Sequence, residues 1–197
     1  MEQFIKGNWT AGWAMDLHTI SCSKNDDGSY NTIRSEIGEL VYKLKYQQDN
    51  TTITNLSNMV AKFMKSRRIF DYIDAIIPVS PSKERDLQPV PAIAIEAGKL
   101  TGKKVDTNYI KKLKSTSELK SITNPDERAK ILENAFGVID NRYEGKNVLL
   151  FDDLYRSGTT LKELTNVLYK NGKVKNVYII TMTKTRVNRW RKYLYQV

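Results

Sequence analysis

Apolar residues in positions 1–68 recur mostly at the spacing of amphipathic helices. Two stripes, separated by polar residues 47–50, predict two helices; they consist of Ile33, Ile37, Leu40, Val41 and Leu44, and of Ile53, Leu56, Val60, Phe63 and Met64. Residues 13–21 alternate between apolar and polar side chains, which predicts an edge strand, and Asn25 to Gly28 predicts the turn after it. We expect residues 1–68 to form a small N-terminal subdomain.

The remaining residues, 69–197, alternate short apolar runs with helical stripes. Apolar runs at residues 72–79, 147–151 and 176–182 predict buried parallel strands. Helices are predicted between them, around residues 90–97, from Asn124 to Ala135, and around residues 161–168. This alternation is typical of an α/β fold in which helices flank a parallel sheet.

Charge and composition narrow the choice of partner. The chain has 32 Lys and Arg against 22 Asp and Glu, a net charge of +10, which favours a phosphorylated metabolite, a nucleic acid or an acidic membrane surface. Cys22 is the only cysteine and His18 the only histidine, which excludes an internal disulfide and a multi-thiolate zinc site. No apolar run is long enough for a signal sequence or a membrane span, so we expect a cytoplasmic protein without membrane insertion.

The candidate chemistry lies in the segment from Val148 to Thr160, where two acids and a small polar loop separate a strand from a helix. Ligands of open parallel sheets bind at the carboxyl ends of the strands. Backbone amides and hydroxyls at a helix start bind one phosphate group, and the predicted cup consists of Tyr155, Arg156, Ser157, Gly158, Thr159 and Thr160. Asp152 and Asp153 would repel that phosphate, so we expect them to accept hydrogen bonds from a sugar diol of the same ligand.

An apolar strand that ends in two acids has three other interpretations. A Walker B strand requires a P-loop, but no Gly-Lys pair in the chain is followed by Ser or Thr. A receiver domain carries its acidic pair near its start, whereas this pair lies in the last third of the chain. The third interpretation is structural: the acids cap a helix and the loop is an ordinary turn.

With its acids, Gly158 and Thr160, the segment resembles the phosphoribosyl pyrophosphate (PRPP) motif of type I phosphoribosyltransferases. Other segments resemble the competence-associated, ComF-like branch of that class; they are Ile37 to Tyr46, Ile76 to Val79, Arg128, and Asn134 to Gly137. Two features of that branch differ here. The N-terminal four-cysteine zinc module is absent, and the Arg-Gly-aromatic-Asn-Gln stretch appears only as residues 85–89.

The resemblance implies a type I phosphoribosyltransferase fold, with residues 1–68 as a hood over residues 69–197. It implies transfer of ribose 5-phosphate from PRPP to a nitrogenous acceptor, with Asp152 and Asp153 as catalytic groups that contact Mg²⁺ indirectly, through the ligand or a water molecule. Pyrophosphate would bind at Ser80, Ser82, Lys83 and Arg85. A flexible loop containing Lys111, Lys112 and Lys114 would close over the site, although a solvated basic loop explains these lysines equally well.

A different class of function also stays open. The chain can be a non-catalytic protein of this fold that binds nucleotide or DNA, as a regulator or a competence accessory protein would. Basic and aromatic residues alternate near the C-terminus, and such residues bind single-stranded nucleic acid; they are Lys184, Arg186, Arg189, Trp190, Arg191, Lys192, Tyr193 and Tyr195. A packed or oligomeric terminal segment, for example in a homodimer, explains the same pattern.

Overall fold

The computed structural model describes residues 1–80, 87–113 and 135–186. In sequence order the elements are β1 (Gln3–Phe4), β2 (Ala11–Leu17), β3 (Thr19–Lys24), β4 (Tyr30–Arg34), α1 (Glu36–Tyr46), α2 (Thr52–Lys65), a 3₁₀ turn (Phe70–Tyr72), β5 (Ala75–Pro78), α3 (Pro89–Thr101), β6 (Lys104–Val105), β7 (Ile110–Lys112), β8 (Phe136–Val138), β9 (Asn147–Tyr155), α4 (Thr159–Lys170) and β10 (Asn176–Lys184).

The central sheet of the described chain has the strand order β1-β2-β10-β9-β5-β6. Strands β2, β10, β9, β5 and β6 run parallel to one another, and β1 alone pairs antiparallel, with β2. The prediction that residues 13–21 form an edge strand was wrong, because β2 lies between β1 and β10. Strand β1 covers only two positions of β2, which explains why the β2 sequence keeps the alternation of a half-exposed strand.

Both faces of the sheet are covered, which accounts for the continuous apolar runs of β5 and β9. On one face Val148 and Leu150 of β9 belong to the core that contains Leu161 and Leu164 of α4. On the other face the alternate residues of β9 pack against α1, α2 and α3. The predicted fold class, a mostly parallel sheet flanked by helices, is confirmed.

The two predicted N-terminal helices correspond to α1 and α2. Helix α1 begins later than its apolar stripe suggested, since Ser35 caps it by accepting a hydrogen bond from Gly38 N at 3.0 Å. Ile33 therefore lies in β4, where it is exposed, and the predicted turn at residues 25–28 joins β3 to β4. Strand β2 belongs to the central sheet, and both helices share one core with later elements. The division of the chain at residue 68 stays a prediction.

The remaining elements differ from the predicted ones mainly at their ends. Strand β5 is shorter than the apolar run at residues 72–79, because Phe70–Tyr72 forms a 3₁₀ turn before it. Strand β9 continues through both acids to Tyr155, and β10 continues to Lys184. The helix predicted from Asn124 lies outside the described residues. None of the described helices combines the length and the apolar character that a membrane crossing requires.

Gly38 lets α1 approach the end of β2 closely, and this contact can be tested. A Cβ atom at residue 38 would lie 2.2 Å from the carbonyl oxygen of His18. Gly38→Ala should therefore lower the free energy of unfolding by about 1–3 kcal/mol, the range for overpacking. Urea unfolding measures the change, and Asn55→Ala, at an exposed position of α2, is the control. Equal stability of the two variants would contradict the contact.

Candidate functional site

A pocket lies at the carboxyl end of β9, where the sequence predicted it. It has a volume of about 140 Å³ and is lined by Asp152, Leu154, Tyr155, Arg156, Ser157, Gly158, Thr159, Thr160 and Leu161. The backbone of the neighbouring strand β5 ends beside it, because Val79 N donates a hydrogen bond to Phe151 O at 2.9 Å. The structure thus gathers one of the predicted acids and the whole predicted loop around one cavity.

The loop from Tyr155 to Thr160 leaves the start of α4 open. Gly158 occupies the N-cap position with a φ of 75°, and the helix has no side-chain cap. A Cβ atom there would lie 2.7 Å from the Tyr155 ring, so both the backbone conformation and the space favour glycine. The first-turn amides of a helix have no intrahelical acceptor and bind anions readily. Ser157 Oγ and Thr159 Oγ1 lie 2.9 Å apart at the same place and add hydroxyl groups.

Asp152 is the acid that faces this pocket. Its Oδ1 accepts a hydrogen bond from Asp153 N at 2.8 Å. Burial, and secondarily the negative charge of Asp153, raise the pKa of Asp152 well above the ordinary value of 3.8. The carboxyl group of Asp152 is held in place by this hydrogen bond and is partly shielded from water. It can therefore exchange hydrogen bonds with a polar ligand.

Asp153 points to the opposite face of the sheet, because successive side chains of a strand alternate. It is buried and forms an ion pair with Lys45, in the last turn of α1; the two side chains are 12% and 19% exposed. In the structure Asp152 lines the pocket and Asp153 pairs with Lys45 on the α1 side, so the two acids have different protein partners. The expectation that both acids contact one sugar diol stays a prediction.

A hydrogen-bonded chain extends from Asp153 to His18, just after β2. Thr183 Oγ1, on β10, donates to Asp153 O at 2.9 Å and lies 3.3 Å from His18 Nδ1. The half-buried imidazole faces charges from three elements. Burial is the main reason why the pKa of His18 falls below its ordinary value of 6.5; Arg34 and Lys45 lower it further, while Asp153 and Glu39 oppose them. The neutral form of the imidazole is therefore favoured.

The predicted pyrophosphate and lid residues are described only in part. Ser80 is half-buried at the carboxyl end of β5, one residue after Val79. Lys111 and Lys112 lie in β7, which pairs antiparallel with β8, rather than in a loop. Ser82, Lys83, Arg85 and Lys114 lie outside the described residues. Their assignment to pyrophosphate binding and to a flexible loop stays a prediction.

The sequence did not place Lys45, Thr183 or His18 in this region. Lys45 has the pattern of a solvated cation in the last turn of an amphipathic helix, and Thr183 that of a strand residue. The position of His18 within the alternating residues 13–21, part of which form β2, was the one usable signal. It gained meaning only once β2 was seen to join the parallel sheet.

Among the described residues, no group of three or more His, Cys, Asp or Glu side chains could hold a metal ion by itself, so a divalent cation would have to arrive with a phosphorylated ligand. Such an ion is commonly held by one or two carboxylates together with substrate phosphates, and it keeps several waters. Asp152 can supply one carboxylate oxygen beside the loop. Asp153 is already neutralised by Lys45.

Comparison with known proteins identifies the fold. No family model matches the chain, and no curated protein matches it. Among solved structures, the glutamine PRPP amidotransferase from B. subtilis, complexed with ADP and GMP, is 16% identical, with a TM-score of 0.51; the match covers 82% of this chain and 35% of that one. The allosteric regulatory enzyme of purine biosynthesis gives the same identity and TM-score, over 82% of this chain and 34% of that one.

This chain thus spans about a third of the length of both proteins. An adenine phosphoribosyltransferase from Thermoanaerobacter pseudethanolicus is also similar, at 12% identity and a TM-score of 0.41, over 84% of this chain and 95% of that one. The architecture described above is the type I phosphoribosyltransferase fold.

The ion pair between Lys45 and Asp153 should contribute strongly to stability. Lys45→Met leaves a buried carboxylate without its cation, so we expect a loss of about 3 kcal/mol in the free energy of unfolding. Lys99→Met breaks an ion pair whose side chains are 67% and 46% exposed, and should change stability by less than about 1 kcal/mol. Denaturant unfolding at neutral pH compares them, and the double variant Lys45→Met/Asp153→Asn should recover part of the loss. Equal effects of the two lysine changes would contradict the burial of the pair.

Asp152 should make stability depend on pH. A carboxyl group whose pKa is raised in the folded state binds a proton on folding above its ordinary value of 3.8, so stability falls as the pH rises from there. Asp152→Asn removes this effect. The free energy of unfolding of the variant, relative to that of the unchanged protein, should therefore be higher at pH 8 than at pH 4 by on the order of 1 kcal/mol. Urea unfolding at the two pH values measures the difference; a parallel loss at both would mean that the carboxylate is needed for folding.

Proposed function

We propose that the protein is a phosphoribosyltransferase that moves ribose 5-phosphate from PRPP to a nitrogenous acceptor and releases pyrophosphate. One observation supports this most: a single pocket combines the uncapped start of α4 with the carboxyl group of Asp152. An anion site next to a hydrogen-bond acceptor matches a phosphate joined to a sugar. The type I phosphoribosyltransferase fold is consistent with that chemistry.

In this proposal the 5-phosphate binds the loop from Tyr155 to Thr160. Amides of the first turn of α4 and the hydroxyls of Ser157 and Thr159 donate hydrogen bonds to it. Asp152 accepts a hydrogen bond from a ribose hydroxyl, and Asp153 supports the end of β9 through its pair with Lys45. Arg156 is exposed at the rim of the pocket, where it can add a positive charge.

Pyrophosphate lies on the β5 side, near Ser80, because β5 is the neighbour of β9 in that direction. Asp152 and the phosphate groups of the ligand would hold Mg²⁺, and the ion would supply positive charge beside the departing pyrophosphate. Protein residues contribute positioning and electrostatic stabilisation and form no covalent bond to the sugar. We also propose that the protein is related to the ComF-like branch and uses the acceptor of that branch.

A second candidate function is binding of a phosphoribosyl ligand without turnover. The pairing of Asp153 with Lys45 favours it, because one acid of the motif is already neutralised inside the protein. Such a protein would bind PRPP or a nucleotide and act as a regulator, or would bind DNA through its basic surface. A turnover assay distinguishes the two functions. Binding to DNA is recognised because its affinity falls steeply as salt is added.

Calorimetric titration with PRPP and Mg²⁺, followed by pyrophosphate release with a panel of nucleobases, tests the proposed function. Asp152→Asn should weaken PRPP binding by up to about tenfold, the equivalent of one hydrogen bond. Gly158→Val should abolish binding, since its side chain would collide with the Tyr155 ring. Asp71→Asn removes the same charge from an exposed position remote from the pocket and is the control.

Circular dichroism and thermal unfolding establish that each variant is folded. PRPP affinity that is equal in Asp152→Asn, Gly158→Val and the control would place the ligand elsewhere and overturn the proposal. Binding without pyrophosphate release with any acceptor would support the second candidate function.

A further inference from the structure

We propose that His18 accepts the proton that the attacking nitrogen of the acceptor loses when it bonds to C1 of the ribose. The inference rests on the proposed function and adds a catalytic base to it. His18 is the only histidine of the chain, and it lies outside the pocket that binds the phosphate and ribose.

The order of the strands places the acceptor near His18. Pyrophosphate at the end of β5 lies on one side of β9, whereas β10 and then β2 lie on the other side. A nucleophile that displaces a leaving group approaches C1 from the opposite direction. The acceptor therefore sits over the carboxyl ends of β10 and β2, about one to two strand spacings of ~4.8 Å from β9. His18 directly follows β2, and its backbone N donates to Lys184 O at 2.8 Å.

The hydrogen bonds around Thr183 determine which imidazole nitrogen is free to act as a base. A hydroxyl group has one proton to donate, and Thr183 Oγ1 donates it to Asp153 O at 2.9 Å. The contact of 3.3 Å between Thr183 Oγ1 and His18 Nδ1 then requires Nδ1 to be the donor. Since a neutral imidazole has one N–H, Nε2 keeps its lone pair. Thr183 acts as a positioning residue that selects this tautomer.

The surrounding charges keep His18 in its neutral form. The groups that face it are Arg34 of β4, Lys45 and Glu39 of α1, and Asp153 of β9. Partial burial and, after it, the two cations favour the unprotonated ring, while the two acids oppose them. Arg34 and Glu39 are paired at 3.3 Å, and Lys45 is paired with Asp153, so neither acid is available to protonate or bind the ring directly.

The chemical step is balanced without a further reactant. The bond from C1 to the pyrophosphate oxygen breaks, and its electron pair leaves on pyrophosphate. The lone pair of the acceptor nitrogen forms the new bond to C1. The proton of that nitrogen moves to His18 Nε2, and it passes to solvent after the product leaves. A positioned general base typically accelerates such a step by about 10²–10⁴-fold.

His18→Asn tests the inference, because its amide can still donate to Thr183 Oγ1 but offers no basic nitrogen at the position of Nε2. With nucleobases that have an N–H to lose, kcat should fall by about a hundredfold or more. PRPP affinity, measured by calorimetry, should stay within about twofold, since the ribose and phosphate contacts are unchanged. Asn55→Ala, at an exposed position of α2, is the control and should leave kcat unchanged.

The pH profile distinguishes a base from a structural residue. In the unchanged protein kcat should fall as the pH drops through the lowered pKa of His18, below 6.5, because the protonated ring has no lone pair to offer. His18→Asn should lack this acidic limb. A pyridine carboxylate, whose ring nitrogen has no proton to lose, should react equally well with both proteins.

Each outcome bears on a defined claim. Turnover that is equal in His18→Asn and in the unchanged protein across the pH range would overturn the role of His18 and leave the proposed function intact. Activity confined to pyridine-type acceptors would likewise overturn the role of His18 and leave the proposed function intact. PRPP binding without turnover in the unchanged protein would overturn both the enzymatic function and the base.

Discussion

Burial of β9 on both faces is the constraint on which the candidate site depends. A strand covered by α4 on one face and by α1 to α3 on the other must alternate its side chains between two cores. Because the strand continues through its acids to Tyr155, the same alternation sends Asp152 toward the pocket and Asp153 toward Lys45. Two adjacent carboxyl groups thereby acquire different surroundings and different partners.

Helix α1 is the second determinant of the site, because it is fixed at both ends. Near its start Gly38 contacts the carbonyl of His18, and in its last turn Lys45 pairs with Asp153. The helix thus joins the end of β2 to the end of β9 across β10. A small displacement of α1 would change the environments of the imidazole and of the buried acid together, which ties the proposed acceptor side to the ribose side.

The sequence predicted the features that depend on local pattern. The α/β class, the start of α4 after Gly158 and the position of the loop at a strand end follow from periodicity, glycine chemistry and sheet topology. The neighbours of β2, the Lys45–Asp153 pair and the His18–Thr183 contact depend on which distant strands become adjacent. No local signal encodes that choice, so these features became visible only in three dimensions.

The place of β2 in the sheet also has a consequence for biosynthesis. Strand β2 pairs with β10, and the contact between His18 and Thr183 joins residues 165 positions apart. The ribosome must synthesise all residues through β10 before this pairing can form, so β2 waits with that edge unpaired. Contacts of such long sequence separation slow folding and leave an intermediate prone to aggregation. A nascent chain of this protein is therefore a natural client for chaperones.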